Sequence, residues 1–239
     1  METKKKSLYD VLGCNLGRCS IIECKNEHEW KCLRKGYITA SESACIIGIG
    51  FKSNVWVWEE KVGINHVGNP ESVASLALMN RGSVNEPLSR QQWANETGHE
   101  VIDGTLKLIT NNSILDKFGR PFLACTLDAV GIDNENNPYI IELKYCENAF
   151  VYRNGLPPKY RCQMIKQMIV TGLHKAVLVA RIVWFDNAGT RHVSEHEYWL
   201  SDDDPDVKYD MENIIAIETS FWNKNVLDKI RPAKVLPEI

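Results

Sequence analysis

Apolar and polar positions change period along this chain, and the changes divide it. Between residues 27 and 49 the spacing predicts a short helix near Glu29 to Arg34, a break at Gly36, and a second helix capped by Thr39 or Ser41 that carries Ala44, Ile46 and Ile47. Segments 54 to 61 and 71 to 80 predict helices too. RGSVNEPLSRQQWANETG predicts another. Pro87 is tolerable only in a first turn, which sets Glu86 at the very start, and Gly98 closes the helix.

The period then shortens. FLACTLDAVGI and YIIELKYC are apolar and rich in β-branched or aromatic residues, and DNENNP between them is turn chemistry, so a β-hairpin is expected. LPPKYRCQMIKQMIVTG returns to helical spacing, with Pro158 near its start, Tyr160, Met164 and Met168 one turn apart, and Gly172 as the stop. AVLVARIVWF and HVSEHEYWL around DNAG predict a second hairpin. A final amphipathic helix runs from about Asp206 to Ile230 with Ile214, Ile215, Phe221 and Trp222 on its apolar side. The order of helices, strands, helix, strands, helix predicts an α/β or α+β fold with a mixed sheet flanked by helices. No repeat or low-complexity linker interrupts it, so a single domain over residues 1–239 is expected.

Composition narrows the class only a little. The chain is 44% hydrophobic and 25% charged with a formal net charge of -3, so a phosphate-binding surface must be local. The N-terminus lacks the apolar stretch of a signal peptide and no run approaches a membrane span, which predicts a protein of the reducing cytoplasm with no membrane partner. The eight cysteines then read as free thiols. Cys14, Cys19, Cys24 and Cys32 crowd together without a CxxC pair, so structural cysteines outweigh a metal cluster, and the histidines show no paired ligand spacing.

The chemistry lies in LDAVGIDNENNPYIIELKY. A hairpin folded symmetrically about Glu135 sets residue 128 opposite residue 142, and directly opposed side chains have Cβ atoms about 4.5–5.5 Å apart. Asp128 and Glu142 then repel unless a cation sits between them. Strand alternation puts Lys144 on the face of Glu142, with Ile141 and Leu143 on the other. Two carboxylates and an ammonium are what phosphodiester hydrolysis needs: oxygen ligands for Mg2+, and a lysine to orient water and steady negative charge. The bland alternative is a solvated hairpin face, since a D…ExK pattern also arises by chance.

The ordered set WKCLRKGYITASES, RGSVNEP, LACTLDAVG, IIELKY and YRCQMIKQMIVTG, over residues 30 to 172, resembles the lambda-exonuclease or YqaJ-type viral recombinase family, whose core is restriction-endonuclease-like. The resemblance implies that Glu86, Asp128, Glu142 and the Leu143 carbonyl hold Mg2+, or Mn2+, which satisfies the same oxygen ligands. It implies that Lys144 positions the water, with Gln163 as an auxiliary, and that Arg34, Thr39 and Ser41 hold a terminal 5′-phosphate. Arg34 offers a bidentate fork, and a helix start favours an anion. The domain would divide into a phosphate-binding helical part at about 27–100, a nuclease core at about 101–200 and a C-terminal helix at about 206–230. The activity implied is a processive 5′ to 3′ exonuclease acting on double-stranded DNA ends, serving viral or prophage recombination beside a single-strand annealing protein, in the host cytoplasm, with a homo-oligomeric ring as one form.

Two departures stand out. The family's proline–aspartate–glycine turn is Leu127, Asp128 and Ala129 here, and its QxQ helix has Gln163 followed by Ile165, with Lys166 and Gln167 after it, so the second glutamine's role is lost or shifted. Lys117, Arg120, Lys159, Arg161 and Lys166 lie beside these segments as expected backbone contacts along the DNA path. Trp30, Trp56, Trp58 and Trp93 read first as core aromatics, with stacking on a base as the alternative for one near the entrance. Rival readings are an endonuclease on the same core, a non-catalytic DNA-end-binding module, and a hydrolase of smaller phosphoesters. A CRISPR-adaptation type nuclease is disfavoured because no cysteine follows Cys162.

Overall fold

The computed structural model describes residues 6–13, 17–64 and 73–235, apart from the side chains of residues 73–83 and 149. Cys14 and the first two positions of the helix expected over 71 to 80 lie outside the described residues. In chain order the elements are α1 (Leu8–Val11), β1 (Cys19–Glu23), α2 (Glu27–Arg34), β2 (Ile38–Thr39), α3 (Ala40–Ile46), α4 (Asn54–Lys61) and α5 (Val73–Thr97). There follow β3 (Glu100–Asp103), β4 (Lys107–Asn111), β5 (Leu123–Cys125), β6 (Ala129–Ile132), β7 (Pro138–Cys146), α6 (Pro158–Thr171), β8 (Lys175–Phe185), β9 (Arg191–Ser201) and α7 (Pro205–Ser220). A π-helical turn over Phe221–Val226 continues α7.

The strands form two sheets. One has the order β1-β4-β5-β2; the other has the order β3-β6-β7-β8-β9 and is mixed, with β7 and β8 parallel. Helices cover both, which is the α+β class expected. The short strands β1, β3 and β4 escaped the sequence reading because four or five residues with polar members show no clear alternation.

Two expectations need correction. FLACTLDAVGI is not one strand: β5 lies in the first sheet and β6 in the second, and residues 126–128 cross between them. Leu127 is fully buried at the crossing, where Gly104 passes so close that an added Cβ would stand 2.5 Å from the Leu127 carbonyl oxygen. Pro87 does not open a helix either, because α5 runs through it to Thr97. A proline there removes one ladder bond and costs about 3 kcal/mol or more. The helix survives because Pro87 faces solvent, while Trp93, 2% exposed, fastens the next turns to the sheet. Glu86 therefore sits within a helix rather than at its start.

Alternation along β7 divides the core. Ile140 packs with Leu178, Met164 and Met168 in the main core, while Ile141 and Leu143 join Trp93, Tyr139 and Val177 in a smaller cluster on the opposite face. Burying an aliphatic side chain contributes about 1.5–3 kcal/mol, so the face each residue takes is strongly fixed. Gly131 opposes Tyr139 in the ladder, and a Cβ there would stand 2.2 Å from the ring, so only glycine fits beneath it. Gly172 ends α6 in the left-handed region at φ 71, as its place in the sequence predicted.

Candidate active site

The hairpin folds in the expected register: Ala129 pairs with Ile141 and Ile132 with Pro138, so residue 128 falls opposite residue 142. The ladder stops at Ala129. There the Asp128 carboxylate takes the place of a strand carbonyl, accepting the Leu143 N–H at 2.8 Å. In a strand the N–H and C=O of one residue leave on the same side, so the Leu143 carbonyl also faces the Asp128 end. Glu142 is 1% exposed, and the Lys144 ammonium donates to its Oε1.

α6 closes this group from the main-core side. Gln163 donates to Glu142 Oε1 at 2.6 Å, and Gln167 donates to Glu142 Oε2 at 2.5 Å. A second glutamine, Gln167, thus reaches Glu142 beside Gln163. Residues 163 and 167 are one helical turn apart, and that i, i+4 spacing was the signal available in the sequence. Gln167 Oε1 has no hydrogen-bond partner among the described residues. One turn earlier, the Tyr160 ring lies 5.3 Å from the Lys144 nitrogen.

Burial pushes the Asp128 carboxyl well above the usual carboxylate range, and the neighbouring Glu142 pushes it further. Burial pulls the Lys144 ammonium down, but Glu142 and Asp128 outweigh it and hold the group charged. Glu86 is also raised, first by burial, against the opposing pull of Arg90 and Lys144. Arg90, which the sequence reading missed, stands 4.0 Å from Glu86 and 3.4 Å from Asp103, and donates to the Asp128 carbonyl at 3.3 Å. It ties α5 to the place where the chain crosses between sheets.

The segment of Arg34, Thr39 and Ser41 meets the carboxylates because β2 runs parallel to β5, with Thr39 beside Ala124, four residues before Asp128. The Arg34 guanidinium donates to Thr39 Oγ1 at 3.1 Å and to Ser41 Oγ at 2.9 Å. Glu42 accepts the Thr39 N–H at 2.8 Å, and Lys61 pairs with Glu42 at 2.8 Å. Trp30 was expected in the core. It lies under Arg34 at 4.3 Å, and its indole donates to Thr126 Oγ1 at 2.8 Å. A single cavity of about 170 Å³ is lined by Arg34, Thr39 and Ser41 together with Asp128, Glu142, Lys144 and Gln163. Trp30 and Thr126 line it too and were not singled out for it. Glu86 and Leu143 are not among its lining residues.

The donor set suits a hard cation: carboxylates and a strand carbonyl are the oxygen ligands Mg2+ or Mn2+ takes. Among the described residues no three His, Cys, Asp or Glu side chains gather as a ready cage. Cationic side chains hold the neighbouring places, Lys144 on Glu142 and Arg90 beside Glu86.

Of the expected DNA-path residues, Lys166 is corrected outright: it is 0% exposed and pairs with Glu218 of α7. An apparently regular surface lysine is buried because α7 covers that side of α6. Lys117, Arg120 and Arg161 pair with Asp228, Asp116 and Asp210, which neutralises much of their charge, and Lys159 lies over the Tyr160 ring at 4.8 Å. Trp93 and Trp58 are core residues as read. No helix among the described residues is long and apolar enough to cross a membrane.

The chain resembles two solved structures over most of its length. A crystal structure of LHK-Exo in complex with dAMP is 21% identical, with a TM-score of 0.53, covering 85% of this chain and 94% of that one. The alkaline exonuclease LHK-Exo from Laribacter hongkongensis is 21% identical, with a TM-score of 0.52, covering 84% and 96%. These likenesses show that the chain shares the fold of those structures. Residues 29–174, well over half the chain, match the YqaJ-like viral recombinase domain, and the chain belongs to that family. No curated protein matches the sequence.

Proposed function

We propose that the protein is a Mg2+-dependent DNA exonuclease that digests one strand of a duplex from its 5′ end. The observation that carries this reading is the shared cavity: the Arg34, Thr39 and Ser41 anion seat and the Asp128, Glu142 and Lys144 group open into one space. A terminal 5′-phosphate on Arg34 sets the next phosphate of that strand beside Glu142. Asp128, Glu142, Glu86 and the Leu143 carbonyl are the residues that would hold the metal, which when bound polarises the phosphate and eases deprotonation of water. Gln163 and Gln167 hold both oxygens of Glu142 and fix its orientation. Lys144, donating to Glu142 at the edge of the cavity, is placed to orient the attacking water and to steady negative charge.

The water oxygen bonds to phosphorus and gives up a proton to solvent, the bond from phosphorus to the 3′ oxygen breaks, that oxygen takes a proton from solvent to become a hydroxyl, and a nucleoside 5′-monophosphate leaves. The shortened strand again carries a 5′-phosphate, which returns to Arg34, so each cut rebuilds the substrate. The freed complementary strand serves recombination through a single-strand annealing protein. The division into a phosphate-binding part, a nuclease core and a C-terminal helix, and a homo-oligomer enclosing the duplex, belong to the same reading.

The test uses linear duplex with and without 5′-phosphate, and a closed circle, each with Mg2+ or EDTA. Nucleotide release from phosphorylated linear ends, absent with EDTA and in Glu142→Ala, is expected. Cutting of the circle favours an endonuclease, and end binding without turnover favours a non-catalytic module.

A further inference from the structure

A second depression lies on the other side of the segment that carries Arg34. Residues of α2, β2 and the turn between them alternate between the two spaces: Trp30, Arg34 and Thr39 line the candidate active-site cavity, whereas Leu33, Lys35 and Tyr37 line an open groove of about 700 Å³. The walls of this groove carry Lys35, Lys61, Arg120 and Lys229, against a single carboxylate among the described lining residues, Asp116. Asp116 is already paired with Arg120 at 3.0 Å. Lys61 is 1% exposed and paired with Glu42, so Lys35 and Lys229 are the exposed lining cations outside these pairs, opposite in sign to the net charge of -3 of the chain.

The groove is also held in place. Lys61 donates to the Arg34 carbonyl at 3.1 Å and to Glu42 at 2.8 Å, which ties the groove wall to the backbone of the phosphate-binding arginine. The C-terminal segment carrying Lys229, Arg231 and Lys234 is fastened by Asn54, whose side chain donates to the Ala233 carbonyl at 2.8 Å and accepts the Val235 N–H at 3.0 Å. Lys35, Lys229, Arg231 and Lys234 are all exposed. Ordering a basic tail next to other cations is unfavourable on its own, and a polyanion lying along it removes the repulsion.

We propose that this groove carries the phosphodiester backbone of the duplex adjoining the end held at Arg34, with Lys35 and Lys229 as phosphate contacts and the 229–234 segment as its outer wall. The proposal rests on the DNA exonuclease reading and extends the footprint beyond the terminal phosphate. Such contacts are independent of base sequence, and each displaces a condensed counterion.

The test is binding of the full-length protein to a fluorescent duplex of about thirty base pairs, in EDTA, at several salt concentrations. Lys35→Gln/Lys229→Gln is compared with the unaltered protein and with Lys175→Gln/Lys208→Gln, which removes the same charge from exposed positions elsewhere. Two lost contacts lower the salt slope by about 2 and weaken binding roughly tenfold per cation near 0.1 M salt, and the control pair changes neither. All four positions are exposed, so the thermal midpoints stay together and misfolding is excluded. An unchanged slope and affinity in the groove variant, while the unaltered protein still digests linear DNA, overturns the groove and leaves the exonuclease standing. An equal loss in the control pair also overturns it. Failure of the unaltered protein to bind or digest any duplex takes down the exonuclease reading itself.

Discussion

Two lysine–glutamate pairs adjoin α6, and they have opposite fates. Lys166 and Glu218 are both 0% exposed and enclosed between α6 and α7. Lys144 and Glu142 form the same kind of pair, but the Lys144 side chain is 24% exposed to a cavity that Asp128 and Arg34 also line. The first pair is chemically closed. The second has an extra carboxylate, an opening and two glutamines that hold the anion, so its charges remain available. A buried ion pair is weak evidence for function; an ion pair with surplus negative charge and an opening is much stronger.

The comparison is sharpest in stability. Lys166→Met leaves the Glu218 carboxylate buried without its cation and is expected to cost about 3–5 kcal/mol, whereas Lys166→Met/Glu218→Leu recovers most of it. Urea denaturation of both variants checks this. Should the double variant be no better than the single, the pair is not the closed unit described.

Next in size is the loss of turnover at the open pair. Glu142→Ala and Lys144→Met are expected to lower nucleotide release by roughly 10²–10³ with the fold intact. Mg2+ should raise the thermal midpoint of Lys144→Met by more than that of the unaltered protein, since a cation replaces the missing ammonium, whereas Lys166→Met should show only the increase of the unaltered protein. An equal increase in all three breaks the distinction.

Gln167→Leu and Gln163→Leu each remove one hydrogen bond to a charged oxygen and are expected to cost about 1.5–3 kcal/mol in kcat, with KM little changed. Arg34→Gln is expected to erase the preference for phosphorylated over unphosphorylated ends, measured as the ratio of the two rates, by about tenfold to a hundredfold.

The smallest effect concerns pH. Asp128 and Glu86 have raised folded-state pKa values, so between the ordinary carboxylate pKa and the raised one the native state binds more protons than the unfolded one. Their contribution to stability therefore falls as pH rises through that window, and protons compete with a cation for the same oxygens. The increase in thermal midpoint given by Mg2+ should be small in acid and grow towards neutral and alkaline pH. A Mg2+ effect independent of pH contradicts this placement of the cation.

How far the sequence reached follows from what each feature depends on. The register that opposes residues 128 and 142 was legible because the five-residue turn fixes it locally and a slip would turn Ile140 and Ile141 to the wrong faces. The 54–61 helix and the Gly172 stop were legible for the same reason, and Thr39, one of the two caps expected with Ser41, is the one used. The change of sheet at residues 126–128 was not, since an apolar run looks alike whether it pairs in one sheet or two. Nor was Pro87 inside α5, where distant packing by Trp93 offsets a local cost.

By itself, then, the chain determined which side chains share a strand face and which residues open or close a helix, because those depend on neighbours a few positions away. Tertiary structure alone decided that Arg90 joins Glu86 to the crossing, and that Lys166 is sealed while Lys144 is open. Lys166 meets Glu218 from an element fifty-two positions further on, and no local period records which long side chain such an element will cover.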